Sequence, residues 1–235
     1  MKHLYLALDL FSLFGPLLLS FDKKVAFYKY WKALFPAIFI MMLLFIPWDI
    51  WKTVRGVWGF NPDYIEGVWL WELPLEEWLF FICIPYACVF IYECLIAYFP
   101  RDIFKTTYRA VLTLLAVFLI AIGLLNYHKW YAAITFPLTG FMLLSLLYYF
   151  KSPWLSRFLA AYLVSLIPFL LVNGVLTGSF LAEPVVWYNP DEIFNIRIFT
   201  IPVEDTIYNM CMLLSTIAWY EYFKCKMGIS CTAKN

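Results

Sequence analysis

Seven runs of about twenty mainly apolar residues, near 4–21, 33–51, 75–98, 108–126, 130–150, 157–177 and 203–223, leave this 235-residue chain few ways to fold. A helix needs about 20 such residues to cross the hydrocarbon core of a bilayer. In that medium every backbone amide must be satisfied within its own segment, so spanning segments are helices or closed barrels. The runs therefore predict an all-α polytopic membrane protein with seven transmembrane helices. Composition agrees, with 64% of residues apolar and 14% charged, a balance unlike that of a soluble domain. The first run is expected to be a retained span and not a cleaved signal: Lys2 and His3 form a thin basic region, Asp9 interrupts the apolar stretch, and no small-x-small site follows.

The net charge of +1 hides a strong asymmetry. Lys23, Lys24, Lys29 and Lys32 follow the first run, and Arg101, Lys105 and Arg109 follow the third. Lys151 and Arg157 follow the fifth, and Lys224, Lys226 and Lys234 the seventh. These are twelve of the 17 basic residues, all on one side of a seven-span protein. That side is expected to be cytoplasmic, with the N-terminus outside and the C-terminus inside. Acids gather opposite, after the second run (Asp49, Asp63, Glu66, Glu72, Glu76, Glu77) and after the sixth (Glu183, Asp191, Glu192, Glu204, Asp205). No basic, aromatic-interleaved surface suggests nucleic acid. The six cysteines have no metal or disulfide spacing. Cys83, Cys88, Cys94 and Cys211 fall on predicted spans as small apolar fillers, whereas Cys225 and Cys231 are expected in a reducing cytoplasm.

The chain repeats itself at an offset of 128 residues. "NPDYIEGVWLWELPLEE" (Asn61–Glu77) aligns with "NPDEIFNIRIFTIPVED" (Asn189–Asp205), six of the 17 positions being identical. The register continues ungapped through Cys83 and Cys211 to Tyr92–Glu93 and Tyr220–Glu221. Four spans separate the copies, so both enter the membrane in the same direction. The expected organisation is a first repeat over 1–107 carrying "PLEE", a linker span over 108–128, and a second repeat over 129–235 carrying "PVED". Two parallel three-helix repeats then pack about an axis normal to the bilayer. The β-prone residues on either side of each Asn-Pro-Asp predict a short β-hairpin at the outer face of each repeat.

Proline suits the first turn of a helix, and acids there oppose the positive end of its dipole. Capping, however, needs one acid and not two. Facing carboxyl pairs under an apolar lid cannot all ionise. A carboxylic acid kept protonated can donate a proton to a poor base, and an ionised neighbour can take one back. Glu76, Glu77, Glu204 and Asp205 are therefore the candidate catalytic residues, for proton chemistry on a lipid-soluble alkene. Glu93 and Glu221, about 25 Å further along their helices, are either interfacial acids or tyrosine-paired structural groups. Asp49, in "FIPWDIW", either adds a polar group near the site or marks the end of the second span.

Paired Pro-x-Glu-acid motifs, "PLEE" at Pro74–Glu77 and "PVED" at Pro202–Asp205, on a small duplicated polytopic chain resemble the membrane-integral lycopene cyclase family. That family comprises two-subunit bacterial cyclases, archaeal single-chain fusions, and the cyclase part of fungal cyclase/phytoene synthases. The resemblance covers essentially the whole chain in its single-chain form. It implies an enzyme of a bacterial or archaeal cell membrane that needs no cofactor or metal. Its substrate would be lycopene drawn from the lipid bilayer, with carotenoid-pathway enzymes or a second copy as candidate partners. One carboxylic acid, Glu76 or Glu204, would protonate a terminal double bond, a six-membered ring would close, and a second carboxylate would remove a proton. The product would be β-carotene, by way of γ-carotene. Trp69, Trp71 and Trp78, beside the first acid pair, are candidate substrate-binding residues because ring faces stabilise cations. Asn61 and Asn189 of the repeated Asn-Pro-Asp join them.

Two histidines, His3 and His128, are too few for a histidine-box di-iron enzyme. No Gly-x-Gly-x-x-Gly supports a dinucleotide site, and no aspartate-rich diphosphate motif is present. The chief rival is a small seven-span solute transporter with two parallel three-helix repeats. Its polar midplane site has no counterpart here, since Asn173 faces Phe45 at the repeat offset. A retinal protein would need a lysine in the middle of the seventh span, which is absent.

Overall fold

A computed structural model describes residues 2–229. Seven α-helices carry the fold: α1 (Leu4–Leu19), α2 (Trp31–Val54), α3 (Leu75–Tyr98), α4 (Tyr108–Leu125), α5 (Trp130–Leu144, extended by a π-turn to Tyr149), α6 (Leu155–Leu176) and α7 (Val203–Lys226). Five of them, α2 to α6, are long and apolar enough to cross a membrane. The other two differ for physical reasons. With 16 residues, α1 reaches about 24 Å, short of a core about 30 Å thick. In α7 the polar residues Glu204, Asp205, Asn209, Glu221 and Lys224 lower its mean hydropathy, but all five are buried inside the bundle. Apolar side chains such as Phe11, Phe39, Leu114 and Leu171 point outward instead, as suits a surface bathed in hydrocarbon.

The packing follows the repeat. α1 packs on α3 as α5 packs on α7, while α2 crosses to α7 and α6 crosses to α3. Each half thus lends its middle helix to the other. α4 lies outside this exchange against α5. Small residues permit their close approach: a Cβ on Gly140 would lie 2.7 Å from the Ala116 carbonyl oxygen.

Six short strands cap one end: β1 (Trp58–Phe60), β2 (Trp69–Leu70), β3 (Leu73–Pro74), β4 (Val186–Tyr188), β5 (Arg197–Ile198) and β6 (Ile201–Pro202). β1 pairs antiparallel with β4, with Trp58 opposite Tyr188, Gly59 opposite Trp187 and Phe60 opposite Val186. Gly59 and Trp187 are the same position of the two repeats, so the sheet is centred on their twofold relation. The Trp187 indole lies where a Cβ on Gly59 would stand, which restricts that site to glycine. β2–β3 and β5–β6 form hairpins at equivalent registers.

The hairpins do not turn at Asn-Pro-Asp, as their composition suggested. They turn at Trp71–Glu72 and Phe199–Thr200, with Trp71 at φ +55° and Phe199 at φ +57°. Asn-Pro-Asp instead forms a turn closed by the asparagine itself. Asn61 Oδ1 accepts from the Asp63 amide and Asn189 Oδ1 from the Asp191 amide, both at 3.0 Å. The residues before that turn pair across the repeats and not within one. Cys225 is disulfide-bonded, which corrects the expectation of reduced cysteines at that end; Cys231 and Lys234 lie outside the described residues. Near the same end, Tyr92 donates to Glu221 at 3.0 Å, Tyr220 donates to Glu93 at 2.8 Å, and Lys224 bridges the two glutamates at 2.7 and 3.4 Å. Glu93 and Glu221 are therefore tyrosine-paired groups that tie α3 to α7.

Candidate active site

Extended backbone at Pro74 (φ −66°) and Pro202 (φ −57°) leads directly into α3 and α7. The acids occupy the second and third helical positions. Neighbouring residues on a helix point about 100° apart, so the two members of a doublet cannot face the same way. The first member turns to the cap: Glu76 Oε1 accepts from the Glu66 amide and Glu204 Oε1 from the Phe194 amide, each at 2.6 Å. Both carboxyls are buried and pin the strap of their own repeat to its helix.

The second member turns into the bundle. Glu77 and Asp205 line one central cavity of about 50 Å³ at the junction of the halves. Tyr5 of α1 donates to Glu77 Oε2 at 2.6 Å, and Tyr131 of α5 donates to Asp205 Oδ1 at 2.7 Å. There the symmetry stops. Asp205 Oδ2 also accepts from Asn173 of α6 and from Tyr188 of β4, both at 2.8 Å. Glu77 instead sits in hydrogen-bonding contact with Asp49 of α2, which in turn accepts from Tyr208 at 2.7 Å. Tyr188 lies outside the spans; burial, and then the neighbouring Asp205 carboxyl, raise its hydroxyl well above the usual phenol range, so it is held as a donor.

Asp205 is surrounded by three donors and no competing acid in hydrogen-bonding contact, the setting of an ionised, acceptor-only carboxylate. Glu77 and Asp49 are two carboxyls in contact, which need a shared proton to sit together. Asp9 of α1 is a further buried carboxyl: it is fully buried, and neither of its oxygens has a hydrogen-bond partner among the described residues. Among the described residues the buried basic side chain beside these acids is Lys52, one turn beyond Asp49. Its Nζ has no hydrogen-bond acceptor among the described residues. It sits 3.9 Å from the Trp48 ring centroid, 4.2 Å from Tyr131, 4.4 Å from Trp58 and 4.5 Å from Tyr208. The hydroxyls of two of those rings reach Asp205 and Asp49, so cage and carboxyls form one unit.

Of the sequence-predicted residues, Glu77 and Asp205 meet in the cavity, and Asp49 joins them there. Glu76 and Glu204 do not line it. Trp69 and Trp71 are exposed on the first hairpin, and Trp78 packs against Trp71 with centroids 5.5 Å apart. Asn61 and Asn189 close their turns at the cap. The rings that do face the carboxyls are those of Tyr5, Trp58, Phe60, Phe80, Tyr131, Phe169, Tyr188 and Tyr208. Sequence reasoning passed over Tyr5 and Tyr131 because they correspond at an offset of 126 and not 128. Lys52 carried a usable signal, being a lysine at the end of an apolar run on the side otherwise rich in acids.

Fold and site together define a duplicated, polytopic helical membrane protein in which each half delivers one carboxyl to a shared cavity walled by aromatic rings. The family model for lycopene cyclase matches residues 2–95 and 128–223, and the chain belongs to that family. The two matched segments hold the two sets of three helices, and α4 falls between them. No curated protein and no solved structure matches the chain.

Proposed function

We propose that this protein is a lycopene β-cyclase that closes the acyclic ends of lycopene by proton addition and removal without net redox change. The observation that carries the reading is the unequal treatment of the two equivalent acids: Glu77 shares a contact with a second carboxyl, whereas Asp205 receives three hydrogen bonds. Glu77, backed by Asp49, gives its proton to the terminal carbon–carbon double bond. The resulting tertiary cation is attacked by the next double bond, which closes a six-membered ring and moves the charge onto a ring carbon. Asp205 takes a proton from the adjacent ring carbon, and the electrons of that C–H bond form the ring double bond of a β-ionone end. One proton enters and one leaves, so the product is an isomer of the substrate. Asp205 must then give up its proton, and Glu77 take up another, by exchange with water before the next ring closes.

Aromatic faces favour the passing cation, by about 2 kcal/mol or more in a water-free site, and the lining supplies eight such rings. Glu76 and Glu204 serve this reading as positioning residues, holding the cap against the helix starts. All seven helices are taken to cross the bilayer, with the strand cap outside and the lysine-rich connections in the cytoplasm. The deciding experiment is expression in a lycopene-accumulating bacterium followed by pigment analysis. Ring-closed carotene is expected with the natural chain and lycopene alone with Glu77→Gln. Unchanged lycopene beside folded natural protein would end the reading.

A further inference from the structure

The cavity at the carboxyls is too small for the chemistry assigned to it. About 50 Å³ is room for a few waters, whereas an apolar cavity known to take benzene measures about 150 Å³. The reacting end of a long alkene must therefore displace side chains on arrival, and its remaining length must lie elsewhere. A second, apolar cavity of about 300 Å³ adjoins the first, between α1, α3 and α6. Phe80, Phe169 and Asn173 line both, so those three side chains are the partition. From Phe80 the groove follows α3 to Ile91, about 16 Å along the helix axis. Its outer rim is Phe11 and Pro168, both exposed on the apolar surface of the bundle.

The twofold-related position is closed, and side-chain size accounts for it. Asn173 and Asp49 each touch the second acid of their own repeat, which superposes Ser165 on Met41, Phe169 on Phe45 and Val172 on Trp48. The facing residues Phe80, Ile84 and Cys88 become Tyr208, Met212 and Thr216. There Tyr208 meets Phe45 and Trp48 with centroids 5.5 and 5.3 Å apart, and Met41, Met212 and Thr216 are fully buried. Ser165, small where Met41 is large, leaves the first side open. A larger apolar cavity between the end of α5, the connection at 150–154 and α7 shares no lining residue with the carboxyl cavity.

The geometry points to the α1–α3–α6 groove as the binding site for the linear hydrocarbon chain of the substrate, with Phe80 and Phe169 as the door through which its tip reaches Glu77 and Asp205. This rests on the cyclase reading and adds where the long apolar substrate lies. The door is asymmetric, so the chain enters from the side of the first repeat.

Ala87→Trp and Ser165→Met would fill the groove while leaving every carboxyl contact in place. Each is compared with the natural chain and with Ala218→Trp, which fills the unconnected cavity, by pigment analysis at matched amounts of folded protein. At least a tenfold fall in ring formation is expected for both groove variants, and no change for Ala218→Trp. Binding is read separately with Glu77→Gln, which holds lycopene unreacted. Purified in detergent, it is expected to give added lycopene an induced circular dichroism, and the double variant Glu77→Gln/Ala87→Trp is expected to abolish it. Natural-level ring formation by folded Ala87→Trp and Ser165→Met overturns the groove, as does an induced signal that persists in the double variant. A natural chain that closes no rings, while Glu77→Gln still shows a signal lost on filling, overturns the cyclase reading and leaves the groove standing.

Discussion

Asp205 accepts the Tyr131 hydroxyl at 2.7 Å, the same bond that Tyr5 makes to Glu77 in the other half, yet Asp205 alone accepts two further donors. Duplication built two equivalent carboxyls, and the neighbours made them chemically unequal. Positions 60 and 80 are Phe in the first repeat, and their equivalents 188 and 208 are Tyr in the second. The phenols surround Asp205 and Asp49 with donors. Both acids are expected to be essential: Glu77→Gln and Asp205→Asn should each lower turnover about 10²–10⁴-fold, the usual worth of a positioned acid or base. Carotene yield per folded protein in isolated membranes checks this, and near-natural yield from either variant would refute the assignment.

If the new ring hydrogen comes from an exchangeable carboxyl, its isotope must follow the solvent. Membranes supplied with lycopene in D₂O should yield carotene heavier by one deuterium for each ring closed. The proton removed leaves from carbon, so recovered lycopene stays unlabelled. Mass spectrometry of the two pigments decides it; ring-closed product without deuterium would rule out protonation by a carboxyl in exchange with water.

Glu76 and Glu204 should behave differently. Their Oε1 atoms satisfy the Glu66 and Phe194 amides, and an amide left without a partner in a buried setting costs about 1–3 kcal/mol. Glu76→Ala and Glu204→Ala are each expected to lower the unfolding free energy in detergent by about 1–3 kcal/mol. Glu76→Gln and Glu204→Gln, which keep the acceptor, should hold most of it. Turnover per folded molecule should fall far less than for Glu77→Gln, and an equal fall would return Glu76 to the chemistry.

Much of this arrangement is legible in the residues. The apolar runs mark the helices to within a few residues, and "PLEE" and "PVED" lead to the right helix starts. The division of labour inside a doublet is hidden because it depends on where the cap sits relative to a helix turn. The aromatic wall is hidden for a related reason. Trp69, Trp71 and Trp78 are near Glu77 in sequence, but the hairpin carries the first two outward. Trp58 and Tyr188, by contrast, arrive from opposite repeats through the β1–β4 pairing. Asn173 has no asparagine at the repeat offset because its structural counterpart is Asp49, four residues out of that register.

Lys52 is held by four rings, with no hydrogen-bond acceptor among the described residues, beside Asp49 and Asp205. Among the described residues it is the buried amine beside this cluster of acids. Lys52→Met keeps the stem and removes the charge, and should lower turnover at least tenfold. Lys52→Arg keeps the charge but brings a planar group to a cage filled by a compact ammonium, so only partial recovery is expected. Equal activity in Met and Arg variants would mean that the lysine only fills space.

The hairpin tips give the orientation a direct readout. Trp71 and Phe199 are largely exposed, at 75% and 84%, and stand at the cap end. Lys105 lies between α3 and α4 at the other end, among the connections rich in basic residues. By the positive-inside rule the cap is expected to be extracellular. Trp71→Cys and Phe199→Cys should therefore react with a membrane-impermeant maleimide on intact cells, whereas Lys105→Cys should react only after permeabilisation. Cys83, Cys88 and Cys211 are free but buried and Cys94 is free and half-buried, so the labelling is read against the natural chain and a Cys94→Ala background. The reverse pattern would place the carboxyl end of the bundle in the cytoplasm and would oppose the charge asymmetry of the loops.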